Sequence, residues 1–510
     1  VGARLCYDER NQPELVLAAL DSDGQLLDWC KVRWLHVNIR GRPGEPLRAP
    51  KEDCERKRVE LKQLEDFFTD VGAEVVVLGG CALICRRLRD ELEHVAFAAA
   101  LRAAAPANAD DETKNRLVEK FHQAASPYPR EGEPILEFKQ STGGQPWYIH
   151  REQIEGPNKE ALPFRVHIVD EQLPQLWASS PAAVAAMPDL EPELRTAVST
   201  ARMAQDPLSE LVHIGARGGC PLATLPLHPL IGEAADDDVE RALALEVVDA
   251  ICARGFELRR ALLHPHHAHG LQYVPGLGPR KAAALLKALQ SMASNGEGAI
   301  EGRDQLRGLL PPAVWHNAVG FFKFTNEATS PEPPGLEGAR IHPEVYEYAQ
   351  KMCFDALQDD NVEVDETPAA LEQAVIDAMS PDGTVALGQL DLGEYAEYLA
   401  SDEGGKKPFM LQTLIDVRAQ LASPFADLRG EWVPLSSETE FQLLVGETKQ
   451  ELEGSLQPAK VTRLDLPTEL GRSIRVHVML QNGLSGTIDE DSVSASWRSG
   501  GGRPLSEFPL

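Results

Sequence analysis

The spacing of apolar and polar residues predicts an α/β arrangement over the first eighty residues of the chain. Three short apolar runs have the length of β-strands: residues 1–7, 15–20 and 26–32. Asp23-Gly24 lies between the last two and is typical of a hairpin turn. Apolar residues at spacings of three, four and seven predict an amphipathic helix from Lys51 to Val71. The β-branched run from Glu74 to Leu78 then predicts a buried parallel strand that ends at Gly79-Gly80.

This β-β-β-α-β order is typical of the opening of an RNase H-like α/β domain. Residues 96–160 carry Ala-rich, acidic and Gly/Pro-rich stretches, which predicts an insertion within that domain. A strand and a helix return between Arg165 and Trp177, and a mainly helical pattern runs from about 193 to 290. A Pro- and Gly-rich linker over 330–338 then precedes a second helical block.

We predict a multi-domain α+β protein with four modules. They are an RNase H-like domain, a helical region with tandem helix-hairpin-helix motifs, an all-helical domain and a truncated OB-fold β-barrel. Their predicted boundaries are 1–205, 206–335, 336–435 and 441–510. Pro343 is well placed to open a helix that runs to about Leu357. After Trp432 the pattern becomes that of β-strands, at 461–464, 474–480 and 483–488, with too few strands to close a barrel.

The composition limits where a nucleic acid could bind. The net charge is −29 over 510 residues, so phosphate contacts require a local basic island. The acidic surplus suits solubility, or a basic partner such as histone. Eight cysteines without a CxxC pair indicate neither a disulfide framework nor a zinc knuckle and fit a reducing compartment. No apolar run is long enough to predict a membrane partner.

The sharpest local signal is the sequence LQYVPGLGPRK at residues 271–281. It predicts a helix-hairpin-helix motif, because two glycines permit a tight hairpin and the amides of the next helix can face a phosphate. The window 271–290 contains three basic residues and no acidic one. The residues predicted to contact the backbone of DNA or RNA are Gly276, Leu277, Gly278, Pro279, Arg280, Lys281, Lys287 and Arg303. A hairpin that only packs domains together is the alternative.

A second, weaker copy of the motif spans Leu306 to Phe324. Pro311-Pro312 replaces the glycines, so close approach to a phosphate is hindered and we predict a packing role. The helix is expected to continue through residues 317–322. Arg303, Arg307 and Lys323 are predicted as outer contacts of this copy.

Paired carboxylates would be required for an enzyme of the RNase H-like fold, because two-metal phosphodiester chemistry needs several acids at converging strand ends. Asp8 ends the first strand, and Asp170-Glu171 ends a later one. Gly79 and Gly80 lie where a middle carboxylate would be needed. We therefore predict no catalytic residue, no metal and no cofactor, with a metal-dependent nuclease or resolvase as the alternative.

Four histidines lie within six residues of one another: His264, His266, His267 and His269. Zinc ligands must converge in a tetrahedral array, which four such closely spaced side chains cannot all do. We predict a surface or interdomain turn.

These motifs and their order resemble a known family. The LQYVPGLGPRK hairpin, then NAVGFFKF at 317–324, then RIHPEVYEYAQKMCFDAL at 340–357, resemble the transcription elongation factor and histone chaperone called suppressor of Ty six, the eukaryotic relative of bacterial Tex. The matching segments run from Val1 to about Ile488. The chain is expected to be a core fragment of such a protein, and a bacterial Tex homologue is the other reading of the resemblance.

The resemblance implies a fold and a function. It implies a catalytically inactive RNase H-like domain of the YqgF type, a death-like helical domain and an OB-fold of the ribosomal S-one type. It also implies a nuclear, non-catalytic scaffold that contacts the RNA polymerase II elongation complex, histones, and DNA or RNA. The hairpin contacts carried over from the family are Gly276, Gly278, Arg280 and Lys281.

Overall fold

A computed structural model of the protein describes most of the chain. The described residues are 1–8, 11–37, 51–80, 82, 84–104, 136–138, 147–149, 165–215, 228–294, 300, 302–324, 335–357, 367–402, 410–426, 437–446, 448–465 and 475–489. They divide into two units, Val1–Asp427 and Leu428–Leu510.

The first unit opens with a five-stranded mixed sheet. Its strands are β1 (Gly2–Tyr7), β2 (Pro13–Leu20), β3 (Leu26–Val32), β4 (Val75–Gly79) and β7 (Arg165–Val169). They lie in the order β3-β2-β1-β4-β7. The first three pair antiparallel, whereas β4 is parallel to both β1 and β7. With α1 (Lys51–Val71) between β3 and β4, the predicted β-β-β-α-β order is confirmed.

Helices cover both faces of this sheet. On one face Leu5 and Val76 are buried with Leu61 of α1 and Leu92 of α2 (Ile84–Ala104). On the other face α5 (Pro192–Gln205) packs against β1 and β2. Gly2 permits this approach, since a Cβ there would lie 2.1 Å from the Ala197 carbonyl oxygen.

The predicted insertion begins later than expected. Val95, Ala96, Phe97 and Ala98 are fully buried on α2, which continues to Ala104, so the start of the Ala-rich tract belongs to the core. An alanine-rich helix can pack closely against a sheet, and composition alone did not distinguish it from an insertion. The rest of the predicted insertion lies outside the described residues, except for two paired strands, β5 (Leu136–Phe138) and β6 (Trp147–Ile149).

The helical region that follows contains helices of 4 to 19 residues. These are α3 (Gln172–Ala178), α4 (Pro181–Ala186), α6 (Pro207–Ile214), α7 (Asp236–Arg254), α8 (Leu258–Leu263), α9 (Pro265–Ala268), α10 (Gly278–Ser294) and α11 (Pro312–Ala318). A proline at the first position begins several of them, where its missing N–H costs no hydrogen bond. The Ser180 and Asp206 side chains cap α4 and α6. Two short strands, β8 (Phe256–Glu257) and β9 (Phe322–Lys323), pair in parallel across this region.

A third core lies in the next helical block. It contains α12 (Tyr346–Leu357), α13 (Pro368–Ala378), α14 (Pro381–Gln389), α15 (Leu392–Asp402) and α16 (Leu411–Ala422). Met352, Val375, Leu387 and Leu414 are buried at its centre. The end of α12 at Leu357 is as predicted. The predicted linker is wrong at its C-terminal end, because Gly335–Gly338 forms a 3-10 turn that buries Leu336.

The second unit contains two helices and a small sheet. The elements are α17 (Ser437–Val445), α18 (Lys449–Leu452), β10 (Ala459–Asp465), β11 (Arg475–Leu480) and β12 (Ser485–Asp489). The three strands form an antiparallel sheet in sequence order, close to the predicted positions. The prediction of β pattern directly after Trp432 is wrong, since two helices precede the first strand.

The cysteines within the described ranges are all free thiols. Among the helices of the described residues, none combines the length and apolar character required to cross a bilayer.

Candidate nucleic-acid interface

The hairpin between α9 and α10 is built around a Pro-Gly turn. The 3-10 turn His269–Tyr273 leads into it, and the Leu277 amide donates to the Val274 carbonyl at 3.1 Å. Pro275 and Gly276 occupy the central positions, and Gly276 has φ +84°. This arrangement is typical of a type II turn, which favours proline first and requires positive φ at the second position.

The two glycines of the hairpin serve different purposes. A Cβ on Gly276 would lie 3.2 Å from the Asn317 Cβ, so the hairpin rests closely on α11. Gly278 faces open space but has φ +72°, a conformation in which a side chain is strained. Lys281 donates from Nζ to the Gly276 carbonyl at 2.8 Å and thereby ties the turn to the first turn of α10.

The predicted basic island is exposed. Arg280, Lys281 and Lys287 all lie on the solvent side of α10. Arg280 and Lys287 are seven residues apart, which places them two helical turns apart on one face, separated by about 10 Å along the axis. The first amides of a helix have no intrahelical acceptor and carry the positive end of its dipole. Cationic side chains and backbone donors therefore occur together at this end of α10.

Of the other two predicted contacts, Leu277 can contribute only through its backbone, and Pro279 cannot donate a backbone hydrogen bond at all. The Leu277 side chain is buried in the core of the region, and Pro279 has no N–H to donate. Leu277 anchors the hairpin, and Pro279 presets the first turn of the helix.

One hydrophobic core supports both copies of the motif. Leu271 and Leu285 of the first copy pack in the same cluster as Leu306, Trp315 and Phe322 of the second. This arrangement agrees with the predicted packing role of the second copy. The expected helix through 317–322 is wrong, because α11 ends at Ala318 and a 3-10 turn, Val319–Phe321, leads into β9.

Arg303 is not an outer contact, and this prediction is wrong. Its side chain is fully buried. The guanidinium donates to the backbone carbonyls of Phe322, Leu336, Ala339 and Ile341 at 2.6–3.1 Å and to the Tyr346 hydroxyl at 2.6 Å. The planar fork of an arginine satisfies several buried carbonyls at once, which explains a cation at this position without any phosphate.

Arg307 and Lys323 have different surroundings. Arg307 is largely exposed and stacks over the Trp315 ring, with 4.5 Å from its guanidinium carbon to the ring centroid. Lys323 is half-buried, 5.9 Å from the centroid of Phe425. Of the two, Arg307 is the better placed to reach a partner.

Within the described part of the first domain, the strand-end carboxylates accept local hydrogen bonds instead of forming a cluster of three metal ligands. Asp8 and Asp170 each accept a backbone amide, from Gln12 at 2.8 Å and from Gln172 at 2.9 Å. Glu171 is buried over Gly79, where an added Cβ would lie 2.0 Å from the Glu171 Oε2. Among the described residues, none of these acids converges with two other metal-ligating side chains.

The histidine turn lies between the first sheet and the helical region. His264, His266 and His267 are buried, so the surface alternative is wrong and the interdomain one agrees with the structure. The His264 Nδ1 accepts a hydrogen bond from Gln25 Nε2 at 2.8 Å, next to the β2–β3 turn. A buried position for so polar a segment is possible because it meets polar groups of both neighbours.

Asp206 connects three parts of this junction. Its side chain caps α6, and both of its carboxylate oxygens pair with the Arg254 guanidinium. Its Oδ2 also lies 3.5 Å from the Arg260 Nη1 and 3.8 Å from the His267 Nδ1. Burial alone would raise its pKa, but the hydrogen bond and charge of Arg254 outweigh burial and lower the pKa to about 2. Asp206 therefore stays ionised and can anchor the surrounding cations.

Comparison with known proteins assigns the helical region to a class. A family model described as a helix-hairpin-helix motif matches residues 221–325. The class of protein is therefore one that carries this motif, as predicted from LQYVPGLGPRK.

Curated relatives show which proteins the chain resembles. The chain is 34% identical over 313 residues to transcription elongation factor SPT6 of Gibberella zeae, covering 59% of this chain and 21% of the relative. It is 32% identical over 300 residues to the suppressor of Ty 6 homolog of Caenorhabditis elegans, covering 58% and 19%. It is 32% identical over 292 residues to SPT6 of Drosophila melanogaster, covering 56% and 15%. The chain is therefore similar to SPT6 proteins over more than half of its length, which confirms the predicted resemblance, and it spans about a fifth of the length of the curated relatives it matches.

Sequence reasoning missed the residues whose role depends on distant partners. Arg303 meets carbonyls up to 38 positions away, and His264 meets Gln25 from 239 positions away. No local spacing signals such contacts. The Gly276 and Gly278 conformations were predictable, because their role lies within the turn itself.

Proposed function

We propose that this chain is a non-catalytic scaffold of RNA polymerase II transcription elongation and chromatin maintenance in the nucleus. The observation that carries the proposal is the exposed, cationic hairpin in a chain that is similar to SPT6 proteins and has a net charge of −29. The SPT6 proteins that the chain resembles are transcription elongation factors, which supports a nuclear role.

The proposed mode of binding is contact with the sugar-phosphate backbone of DNA or RNA. The Gly276–Lys281 segment would present amides to a phosphate, and Arg280, Lys281 and Lys287 would add charge. Contacts of amides and exposed cations with the sugar-phosphate backbone carry no sequence information, so affinity should depend on salt and be indifferent to sequence.

The proposed domain organisation follows the core clusters of the first unit. We propose residues 1–205 as the RNase H-like YqgF domain, 206–335 as the tandem hairpin region, 336–435 as the death-like domain and 441–510 as a partial OB-fold. The strand order of the first sheet and the three antiparallel strands of the second unit support these assignments. Histones and the elongation complex are the proposed protein partners, with the acidic surplus suited to a basic partner.

The direct test is a binding titration with matched charge reversals. Arg280→Glu combined with Lys287→Glu reverses two of the three exposed charges on α10. Lys281 is left in place, so its hydrogen bond to the Gly276 carbonyl is kept. The control, Arg86→Glu with Arg87→Glu, reverses two exposed cations on α2. The proposal predicts weaker binding of single-stranded and duplex DNA and RNA by the first pair, by at least about tenfold, and little change for the second. Equal losses for both pairs, or none, would leave the hairpin a packing element.

The alternative of a metal-dependent nuclease is tested in the same reactions. Addition of Mg²⁺ or Mn²⁺ should yield no cleavage product. Asp8 and Asp170 each accept a nearby backbone amide, and Glu171 is packed over Gly79, so these acids do not converge on a metal. Cleavage that Asp8→Asn abolishes would replace the scaffold with an enzyme.

A further inference from the structure

Three side chains with metal-ligating atoms converge where α11 meets the turn before α12. They are His316, His342 and Glu344, and one ligand atom from each lies within 4.8 Å of the other two. The His316 Nδ1 is 3.2 Å from the Glu344 Oε1, and the His342 Nδ1 is 3.8 Å from the Glu344 Oε2. We propose that these residues bind a divalent transition-metal ion of the zinc class, a site separate from the hairpin and independent of the proposed function.

The separations fit such an ion. Zinc takes histidine nitrogens and carboxylate oxygens at about 2.0–2.2 Å, and in a tetrahedron this places neighbouring ligand atoms about 3.3–3.5 Å apart. The two separations, each to a different oxygen of Glu344, lie on either side of that range, so small side-chain rotations would bring one oxygen and both nitrogens around a common ion. Two neutral imidazoles and one carboxylate are also a ligand set that zinc uses with an open fourth position.

The orientation of the His342 ring supports a ligand role. Its Nε2 lies 3.1 Å from the His316 carbonyl oxygen. Because a carbonyl can only accept, this bond requires the proton on Nε2 and leaves the lone pair on Nδ1, the atom that faces Glu344. A histidine held through its second nitrogen by a backbone carbonyl is the usual arrangement around a metal.

The competing interaction at Nδ1 is local. The Glu344 amide donates to the His342 Nδ1 at 3.2 Å, as part of the cap of the Pro343–Val345 turn. A bound ion would replace that long hydrogen bond. Pro343 fixes the backbone between the two ligands, so the loss of the cap need not disorder the turn.

The site is open to solvent and joins two cores. The His316 and Glu344 side chains are 56% and 61% exposed, whereas His342 is 25% exposed and packs edge-on against Trp315. An ion can enter from solvent, and its fourth position would hold water or an external anion. Because His316 lies on α11, whose Val314 and Trp315 belong to the hairpin core, and Glu344 lies at the start of the next helical block, the ion would connect the two.

The experiment is a metal titration of the full chain after treatment with a chelator. Zn²⁺ is titrated by calorimetry into the parent chain, His316→Asn and Glu344→Gln, with His228→Asn at an exposed histidine as the matched control. Both ligand variants should lose one equivalent of zinc or bind it at least about 10- to 100-fold more weakly, which is the loss found even for outer-sphere partners. The control should match the parent chain.

Co²⁺ distinguishes this site from the cysteines of the chain. The proposed nitrogen and oxygen ligands should give weak visible bands without the intense near-ultraviolet absorption of a cobalt–thiolate bond, and both ligand variants should lose those bands. Circular dichroism verifies that the variants are folded. Failure of the parent chain to bind Zn²⁺, or equal binding by all four proteins, would overturn the proposal and leave His316 and Glu344 as a plain surface ion pair.

Discussion

At the scale of single residues, Arg303 was predicted to contact nucleic acid but instead has a structural role inside the protein. Arg303 lies just before the second copy of the motif, which begins at Leu306, and its positive charge suggested a phosphate partner. The structure instead buries it completely among carbonyls of residues 322–341. Burial of a charge is tolerated only when its hydrogen-bonding capacity is satisfied, and here each nitrogen of the guanidinium has an acceptor.

We expect Arg303→Met to destabilise the protein by about 3 kcal/mol or more, because it leaves several buried carbonyls without donors. Lysine should not substitute, since a single ammonium cannot span the same acceptors. Chemical unfolding measures the effect. Arg307→Met, at the exposed cation over Trp315, is the control and should cost less than about 1 kcal/mol. A loss of nucleic-acid affinity with unchanged stability would return Arg303 to the interface.

At the scale of elements, the junction of α6 with the histidine turn predicts a pH dependence. His213 of α6 is buried next to the Trp177 ring, and burial, with the nearby charges of His269 and Arg202, lowers its pKa to about 3. Between the ordinary histidine pKa of about 6.5 and this value, the unfolded chain binds a proton that the folded chain does not. Stability from His213 is therefore present above pH 6.5 and is lost as the pH falls toward 3.

Replacement of His213 by Phe should reduce the slope of unfolding free energy against pH by up to about 1.4 kcal/mol per pH unit between pH 6 and 4. Burial raises the pKa of Glu210 to about 7, so its contribution to stability changes with pH in the opposite direction to that of His213. Because Glu210 is present in both proteins, it does not account for a difference between their slopes. Hydrogen exchange of α6 amides at several pH values provides the measurement, and His228→Phe is the exposed control. Identical slopes for the parent chain and His213→Phe would contradict the assignment.

The same scale shows what the sequence could predict. The strands and α1 of the first sheet follow from periodicity, and the hairpin follows from Pro275-Gly276, because both signals are local. The extent of α2 and the two helices before β10 were missed, because Ala-rich or mixed patterns do not reveal what a helix packs against. The His316–His342 pairing was also invisible, since it joins residues on either side of a Pro-rich segment.

At the scale of the whole molecule, the central feature is a small cationic patch on a strongly acidic chain. A net charge of −29 repels nucleic acid at long range, so binding through the α10 hairpin requires close contact at that patch. Salt screens the repulsion as well as the attraction. The release of counterions from phosphates should still dominate, since it depends on the number of cations in contact.

The salt dependence of affinity tests this account most directly. We would measure the binding of duplex DNA and single-stranded RNA over a range of salt concentrations for the parent chain and for Arg280→Glu with Lys287→Glu. The account predicts that the double variant lowers the magnitude of the log–log slope by about 1.8 for the duplex and about 1.4 for the single strand, as for two lost phosphate contacts. The same slope in both proteins would contradict a backbone-binding hairpin.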